Sequence, residues 1–175
     1  MVSSGAAYTV LILLVGLERL AELVVSNRNL RWSRQHGGIE TGAGHYPAMV
    51  LLHSALLVGC LAEVWLLDRP FLPWLGWPML ALVIAAQALR WWCISTLGRQ
   101  WNTRIVVIPG AARVTSGPYR YLRHPNYVAV VIEGVALPLA HTGWLTAVIF
   151  SVLNAVLLSV RIRSESGALA MLGRA

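Results

Sequence analysis

Five long apolar stretches, most of them separated by segments that contain arginine, are the feature that most constrains how this chain can fold. They cover residues 6–25, 46–67, 78–97, 127–140 and 144–160. A helix needs about 17–25 apolar residues to cross a bilayer, and four of the five stretches fall in that range. We expect the short fourth stretch to be tilted or extended at either end. The pattern predicts an all-α polytopic membrane protein with five transmembrane helices.

Composition supports a membrane protein over the other classes. Apolar residues make up 57% of the chain and charged residues only 12%. The charged share is roughly half that of a soluble domain, and a disordered chain would be far less hydrophobic. We therefore expect one membrane domain over residues 1–175, with three N-terminal spans up to residue 97 and a distinct half over residues 98–175.

The arginines predict the orientation of the spans. All 14 basic residues are arginines, and they concentrate between spans one and two, between spans three and four, and after span five. The positive-inside rule places those segments in the cytoplasm. The N-terminus is then outside and the C-terminus cytoplasmic, and these arginines indicate topology rather than nucleic-acid binding. Trp74 and Trp77 are expected at the outer membrane interface and Trp101 at the inner one.

The link between the last two spans is short. Only His141, Thr142 and Gly143 lie between the fourth apolar stretch, which ends at Ala140, and the fifth. Such a tight connection is typical of two antiparallel neighbouring helices. The sequence therefore predicts a C-terminal helical hairpin.

The segment before the hairpin carries the densest set of polar and aromatic side chains. It reads Gly117-Pro118-Tyr119-Arg120-Tyr121-Leu122-Arg123-His124-Pro125-Asn126-Tyr127. Proline suits the first position of a helix, and a helix N-terminus attracts anions. With Arg123 and His124 beside it, this segment could hold a carboxylate or a phosphate. The alternative is that its arginines and tyrosines only anchor the chain at the headgroups.

Two further patterns involve charged side chains. Arg161 and Glu165 are four residues apart, so they share one face of a helix and either form an exposed ion pair or line a site. A second group lies about 10–12 Å inside the spans, where ionisable side chains normally face a partner or a cavity. We predict an ion pair between Arg90 and either Glu133 or Glu18. The group either holds helices together or forms a polar floor under a substrate pocket, with His53 or Glu133 as a candidate base. Its members are Glu18, Arg19, His53, Arg90 and Glu133.

The C-terminal half resembles the isoprenylcysteine carboxyl methyltransferase family of integral membrane methyltransferases. The matching pieces are Gly117-Pro118-Tyr119, Arg123-His124-Pro125-Asn126-Tyr127 and Arg161-x-x-x-Glu165, with the hairpin between them. The N-terminal half resembles a bacterial branch of the family through Glu18-Arg19-Leu20-Ala21-Glu22-Leu23 and His45-Tyr46-Pro47. Members of that branch are associated with type III polyketide synthases and O-methylate alkylpyrones or alkylresorcinols.

The resemblance implies S-adenosyl-L-methionine bound at the cytoplasmic side of a bacterial inner membrane, with a lipophilic acceptor arriving from the bilayer. Arg161 would be catalytic and lie on the substrate side. His53, Arg90 and Glu133 are substrate-side candidates because of their depth in the spans, as members of the polar floor. Two departures from the family pattern are Ser166, where a second acid is common, and Ala129, where glycine is common. The implied cofactor-binding residues are Arg113, Val114, Tyr119, Arg123, His124, Pro125, Asn126, Tyr127 and Glu165.

The acceptor stays open between an alkylpyrone or alkylresorcinol hydroxyl and a prenylcysteine carboxylate, with the hydroxyl favoured. A phospholipid N-methyltransferase, a reductase of the sterol type that uses NADPH, and a membrane protein without enzymatic activity are the alternatives. No Gly-x-Gly-x-x-Gly turn or P-loop is present in the sequence. No metal site is expected.

Overall fold

The computed structural model describes residues 2–112 and 114–172, and most of them are helical. The expected all-α architecture of five long helices is confirmed, and two three-residue strands that were not expected lie between the helices. In chain order the elements are α1 (Val2–Gln35), β1 (Ile39–Thr41), α2 (Tyr46–Leu66), α3 (Pro73–Leu97), β2 (Ile105–Val107), α4 (Pro125–Leu139) and α5 (Trp144–Leu172).

The short helix α4 lies at the centre of the packing. It contacts α3 and α5 most extensively, and more than half of its residues are buried. Gly134 makes the close approach to α5 possible, because a Cβ there would lie 2.1 Å from Cε1 of Phe150. The Tyr8 hydroxyl also donates to the Leu137 carbonyl oxygen at 2.9 Å, which joins α1 to α4. The helices therefore share one core.

The outer faces of the helices are apolar, which is the inverse of a soluble protein. Three helical segments, residues 46–66, 73–100 and 144–167, are long and apolar enough to cross a membrane among the described residues. Helix α4 is apolar but shorter. The protein is therefore a membrane protein, while the five-span topology stays a prediction. Strongly exposed apolar side chains include Leu13, Leu17, Leu51, Val58, Ile84, Val148 and Val156.

Helix α1 continues well past the expected end of the first span. Hydropathy falls after Val25, but the helix runs to Gln35 because its polar face is hydrogen bonded to the segment after α3. The Asn29 amide donates to the carbonyl oxygens of Gly98 and Trp101 at 3.1 and 2.7 Å. The Ser26 hydroxyl accepts from the Thr103 backbone amide at 3.0 Å. Hydropathy locates the apolar stretch and does not locate the end of the helix.

The two strands form an antiparallel pair that joins the α1–α2 link to the segment after α3. Ile39 lies opposite Val107, and Thr41 lies opposite Ile105. Between them, the Glu40 carboxylate accepts from Arg104 at 2.7 Å and from Arg34 at 3.0 Å. The hydrogen bond from Arg104 is the main reason that the pKa of Glu40 is lowered. Three-residue strands carry little periodicity, so the sequence did not reveal them.

The tryptophans only partly follow the expected belts. Trp74 and Trp77 are strongly exposed at the start of α3, in keeping with an interface. Trp101, expected at the opposite interface, is instead 3% exposed. Because so little of it is exposed, its ring is enclosed by the protein rather than by headgroups. Its carbonyl oxygen accepts a hydrogen bond from Asn29. The interfacial assignment of Trp101 is therefore wrong.

The link between α4 and α5 is as short as predicted. Residues 140–143 are the whole connection, and the two helices pack against each other as a hairpin. The buried Glu63 carboxylate accepts from the backbone amides of Leu145 and Thr146 at 3.1 and 2.7 Å. Anionic groups stabilise helix N-termini, so Glu63 fixes the start of α5 against α2.

Candidate active site

Two cavities meet near one end of the helices. The first, which we call the helix pocket, lies among all five helices and holds about 930 Å³ of empty space, its open mouth included. The second, the loop groove, lies under residues 97–127 and the adjoining ends of α4 and α5, with about 1520 Å³. A small ligand commonly takes a cleft of roughly 300–1,000 Å³. Four residues line both cavities: Trp101, Asn126, Tyr127 and Arg161.

A chain of side-chain contacts crosses the junction. The Tyr127 hydroxyl accepts from Arg161 Nε at 2.9 Å and donates to Glu165 Oε2 at 2.5 Å. The ring of Tyr127 stacks on His124 with centroids 5.1 Å apart, and His124 Nδ1 lies 3.7 Å from Glu165 Oε2. Glu165 Oε1 has no hydrogen-bond partner among the described residues. Arg161 and Glu165 are thus joined through Tyr127: Glu165 lines the loop groove, and Arg161 lines both cavities.

Arg161 is fixed at the point where the cavities join. Besides Tyr127, its guanidinium donates to the Thr103 carbonyl oxygen at 2.7 Å and lies 2.5 Å from Met49 Sδ. A guanidinium has five N–H donors, so two remain without a partner among the described residues. The side chain is 8% exposed, so these donors face a largely dry site. Such a group can orient an anionic or polar oxygen.

The turn that shapes the loop groove depends on glycine. Gly117 has φ +56, and a Cβ on it would lie 2.6 Å from Thr96 Oγ1. Only glycine adopts this conformation without strain while approaching α3 so closely. The turn buries Pro118 and places Tyr119 in the groove. Burial raises the pKa of the Tyr119 phenol, which therefore stays protonated.

The predicted start of α4 is confirmed. Pro125 is the first helical residue, and His124 before it makes no side-chain capping bond, so the helix N-terminus is open toward the groove. Every described residue predicted to bind the cofactor lines the loop groove, and Arg113 lies outside the described residues. The residues placed there are Val114, Tyr119, Arg123, His124, Pro125, Asn126, Tyr127 and Glu165.

The loop groove offers the donors and acceptors that an aminoacyl nucleoside would use. The side-chain oxygens of Asn102 and Asn126 are buried without a hydrogen-bond partner, although both residues line the groove. Unpaired buried acceptors indicate a missing donor such as an amino group. An open helix N-terminus with Arg123 beside it suits a carboxylate. The residues present therefore fit S-adenosyl-L-methionine.

The helix pocket combines ionisable side chains at its floor with aliphatic side chains over much of its wall. His53, Arg90 and Arg161, three of the predicted substrate-side residues, line it. Glu133, the fourth, does not line the pocket, but its carboxylate forms an ion pair with Arg90. The remaining wall is largely formed by aliphatic side chains, including Leu23, Val50, Leu57, Val130, Leu157 and Leu158.

The predicted ion pair between Arg90 and Glu133 is confirmed, and it belongs to a larger ionic cluster. Glu133 accepts from Arg90 Nη2, and it also accepts from Arg19 Nη2 at 3.0 Å. Glu22 completes the cluster at 2.7 Å from Arg19 and 3.6 Å from Arg90. Glu18 is peripheral, 3.8 Å from Arg19. Glu22 was not predicted as a member of this cluster, although its position three residues after Arg19 places both side chains on one helix face.

Three other residues of the site were not predicted from the sequence. Thr103 and Met49 hold Arg161, and nothing in their local sequence marks them. Asn154 lines the helix pocket and is 3% exposed. Its isolation among apolar residues of α5 was a usable signal. Among the described residues, no group of three histidine, cysteine or acidic side chains could hold a metal ion.

Comparison with known proteins identifies relatives. Residues 79–171 match the isoprenylcysteine carboxyl methyltransferase (ICMT) family. The chain is 39% identical over 163 residues to the uncharacterized protein YpbQ of Bacillus subtilis, covering 93% of this chain and 96% of that one. It is 27% identical over 157 residues to an uncharacterized protein of Haemophilus influenzae, covering 88% and 90%. No solved structure matches the chain. The matched family region contains His124, Tyr127, Arg161 and Glu165, and the resemblance read from these motifs is confirmed.

Proposed function

This chain belongs to the isoprenylcysteine carboxyl methyltransferase family, and from that premise we propose that it transfers a methyl group from S-adenosyl-L-methionine to an oxygen of a lipophilic acceptor. The observation that carries the proposal is the junction of the loop groove and the helix pocket at Tyr127 and Arg161. A polar groove for the donor and an apolar pocket for the acceptor meet at one point there. Methyl transfer requires little beyond that alignment and the exclusion of water.

The loop groove would hold the cofactor through its own unpaired groups. The N-terminus of α4 and Arg123 bind the carboxylate, and Asn102 and Asn126 accept from amino groups. Glu165 Oε1 takes a ribose hydroxyl or the amino group. Tyr119 and Tyr127 present aromatic faces, which suit a cation and a base. When bound, S-adenosyl-L-methionine supplies a methyl group already activated by the sulfonium.

Arg161 would orient the acceptor oxygen with its two remaining donors. A carboxylate needs no base, only this cation. A phenol or enol oxygen must lose a proton, and the adjacent guanidinium favours its anionic form. We propose an alkylpyrone or alkylresorcinol hydroxyl as the acceptor, since the helix pocket can bring such an oxygen to Arg161 while aliphatic side chains such as Val130 and Leu157 contact the alkyl tail. A prenylcysteine carboxylate is the competing acceptor, and methylation assays with both classes separate them.

We also propose that the chain crosses a bacterial inner membrane five times with the loop groove facing the cytoplasm. The positive-inside pattern and the apolar outer faces support this topology. A reporter fused after the C-terminus should read cytoplasmic, and one fused before the N-terminus should read external. Matching compartments for the two termini would exclude an odd number of spans.

The test of the proposal is calorimetric titration of the detergent-purified protein with S-adenosylhomocysteine, which cannot turn over. We expect micromolar binding that weakens about 10- to 100-fold in Glu165→Ala, because a hydrogen bond to a charged group contributes roughly 1.5–3 kcal/mol. Ser166→Ala, at the exposed neighbour, should bind like the unmodified protein. Glu165→Gln separates the loss of charge from the loss of the side chain. Absence of binding by the well-folded protein would refute the methyltransferase assignment.

A further inference from the structure

Asn154 lies in an apolar helix and has no hydrogen-bond partner among the described residues. It is 3% exposed and lines the helix pocket, and its side-chain oxygen is buried without a hydrogen bond. Among the described residues its amide nitrogen also donates to nothing. An unpaired amide is costly at membrane depth, because no water is available there to form hydrogen bonds with it. Polar side chains in such positions usually face a cavity and a ligand.

His53 offers a complementary atom to the same pocket. Its Nδ1 lies 2.8 Å from the Met49 carbonyl oxygen. A carbonyl oxygen only accepts, so Nδ1 carries the hydrogen, and Nε2 of the neutral ring is an acceptor. Nε2 has no partner among the described residues. The ring meets Phe150 edge-on with centroids 5.4 Å apart. Phe150 precedes Asn154 by one helical turn on the same face, so His53 and Asn154 lie in the same part of the pocket.

These two side chains lie deeper in the helix pocket than the acceptor-orienting guanidinium. Arg161 Nη1 is 2.5 Å from Met49 Sδ. His53 follows Met49 by four residues on α2, which is a rise of roughly 6 Å along the helix axis. A molecule that places one oxygen at Arg161 would thus bring a second polar group, about one turn away, to His53 and Asn154.

The charges around this position favour a neutral group. Arg19 and Arg90 pair with Glu22 and Glu133, while Glu18 stays outside the pocket lining, 3.8 Å from Arg19, so each charge at the pocket floor already has a counter-ion. A second carboxylate or an ammonium would find no counter-ion left. A hydroxyl fits, because it can donate to His53 Nε2 and accept from the Asn154 amide.

We propose that His53 and Asn154 form a hydroxyl-binding subsite that selects acceptors whose polar head carries a second, neutral hydroxyl beside the methylated oxygen. The inference rests on the proposed O-methyltransferase function and names the class of acceptor head that it prefers. Neither residue transfers the methyl group or contacts the cofactor groove. They are specificity-determining residues.

The test compares two probes that differ by one hydroxyl, 5-pentadecylresorcinol and 3-pentadecylphenol. Their binding to the detergent-purified full chain, saturated with S-adenosylhomocysteine, is measured by calorimetry. We expect the resorcinol to bind at least about tenfold tighter, well beyond its twofold statistical advantage, because a site built for a hydroxyl rejects the analogue that lacks it. Asn154→Leu and His53→Phe should each bring the two affinities within about threefold of one another while keeping the phenol's affinity. Val152→Leu, on the lipid-exposed face of α5, should keep the preference.

Unchanged affinity for S-adenosylhomocysteine shows that each variant is folded. Equal affinity of both probes for the unmodified protein would overturn the subsite, as would a preference that persists in Asn154→Leu and His53→Phe. Methyl transfer to the same probes is measured separately. If the binding preference holds but neither probe is methylated, the subsite stands and the proposed reaction on these acceptors is wrong.

Discussion

Replacing Arg161 by methionine is expected to lower kcat for methyl transfer by about 100- to 1,000-fold. Loss of one preorganised donor at a reacting oxygen typically costs that much. Methionine keeps much of the length and volume of the side chain, while it removes the donors to Tyr127, Thr103 and the acceptor. Transfer of a labelled methyl group to a lipid acceptor, with S-adenosyl-L-methionine saturating, measures the change.

The affinity for S-adenosylhomocysteine should change much less, by less than about tenfold, because Glu165 and the N-terminus of α4 remain. Arg163→Met is the matched control, since Arg163 is exposed on the same helix two residues away. It should leave both quantities unchanged. A variant of Arg161 that loses cofactor affinity in proportion to its rate would show that this residue serves the donor rather than the acceptor.

Replacing Glu133 by alanine is expected to destabilise the protein by about 3–5 kcal/mol. The change removes the carboxylate shared by Arg19 and Arg90, and breaking a buried ion pair from one side leaves an uncompensated charge. Only Glu22 would then face both guanidinium groups. Thermal unfolding in detergent, followed by circular dichroism, measures the loss. Glu133→Gln should cost less, because the amide oxygen still accepts.

A double variant makes that prediction specific. Glu133→Leu combined with Arg90→Met removes one charge of each sign and leaves Arg19 paired with Glu22. Replacing both partners of a buried pair by apolar side chains is often neutral. The double variant should therefore unfold well above either single variant. If it unfolds below both, the ionic cluster is not what stabilises the packing of α1, α3 and α4.

The sequence was informative about residue types that are energetically costly in most positions, such as charges inside a membrane and proline inside a helix. A charge inside a membrane must find a partner, so the depth of Arg90 predicted an ion pair with Glu133 or Glu18, and the structure selects Glu133. Proline has few positions in a helix, so Pro125 marked the start of α4. The spacing of Arg161 and Glu165 placed them on one helix face, and the structure shows both contacting Tyr127.

The remainder depended on contacts between distant segments. The extension of α1 to Gln35 is stabilised by residues about seventy positions further along the chain, such as Gly98 and Thr103. The pairing of β1 with β2 is equally non-local, and tertiary context overrides local propensity in such short strands. The position of Trp101 was predicted wrongly for the same reason, because hydropathy does not distinguish a tryptophan at the lipid headgroups from one buried in the protein.

The two cavities draw on different parts of the chain. The loop groove is lined only by residues from Leu97 to Glu165, inside the region that matches the family. Much of the helix pocket is instead lined by α1 and α2, which lie before that region. Exchange of the N-terminal third between relatives should therefore alter the α1 and α2 walls of the helix pocket, His53 included, and leave the lining of the loop groove in place. Arg161 and Asn154 of α5 would stay in place, so such an exchange would pair a constant α5 wall with a new wall from α1 and α2.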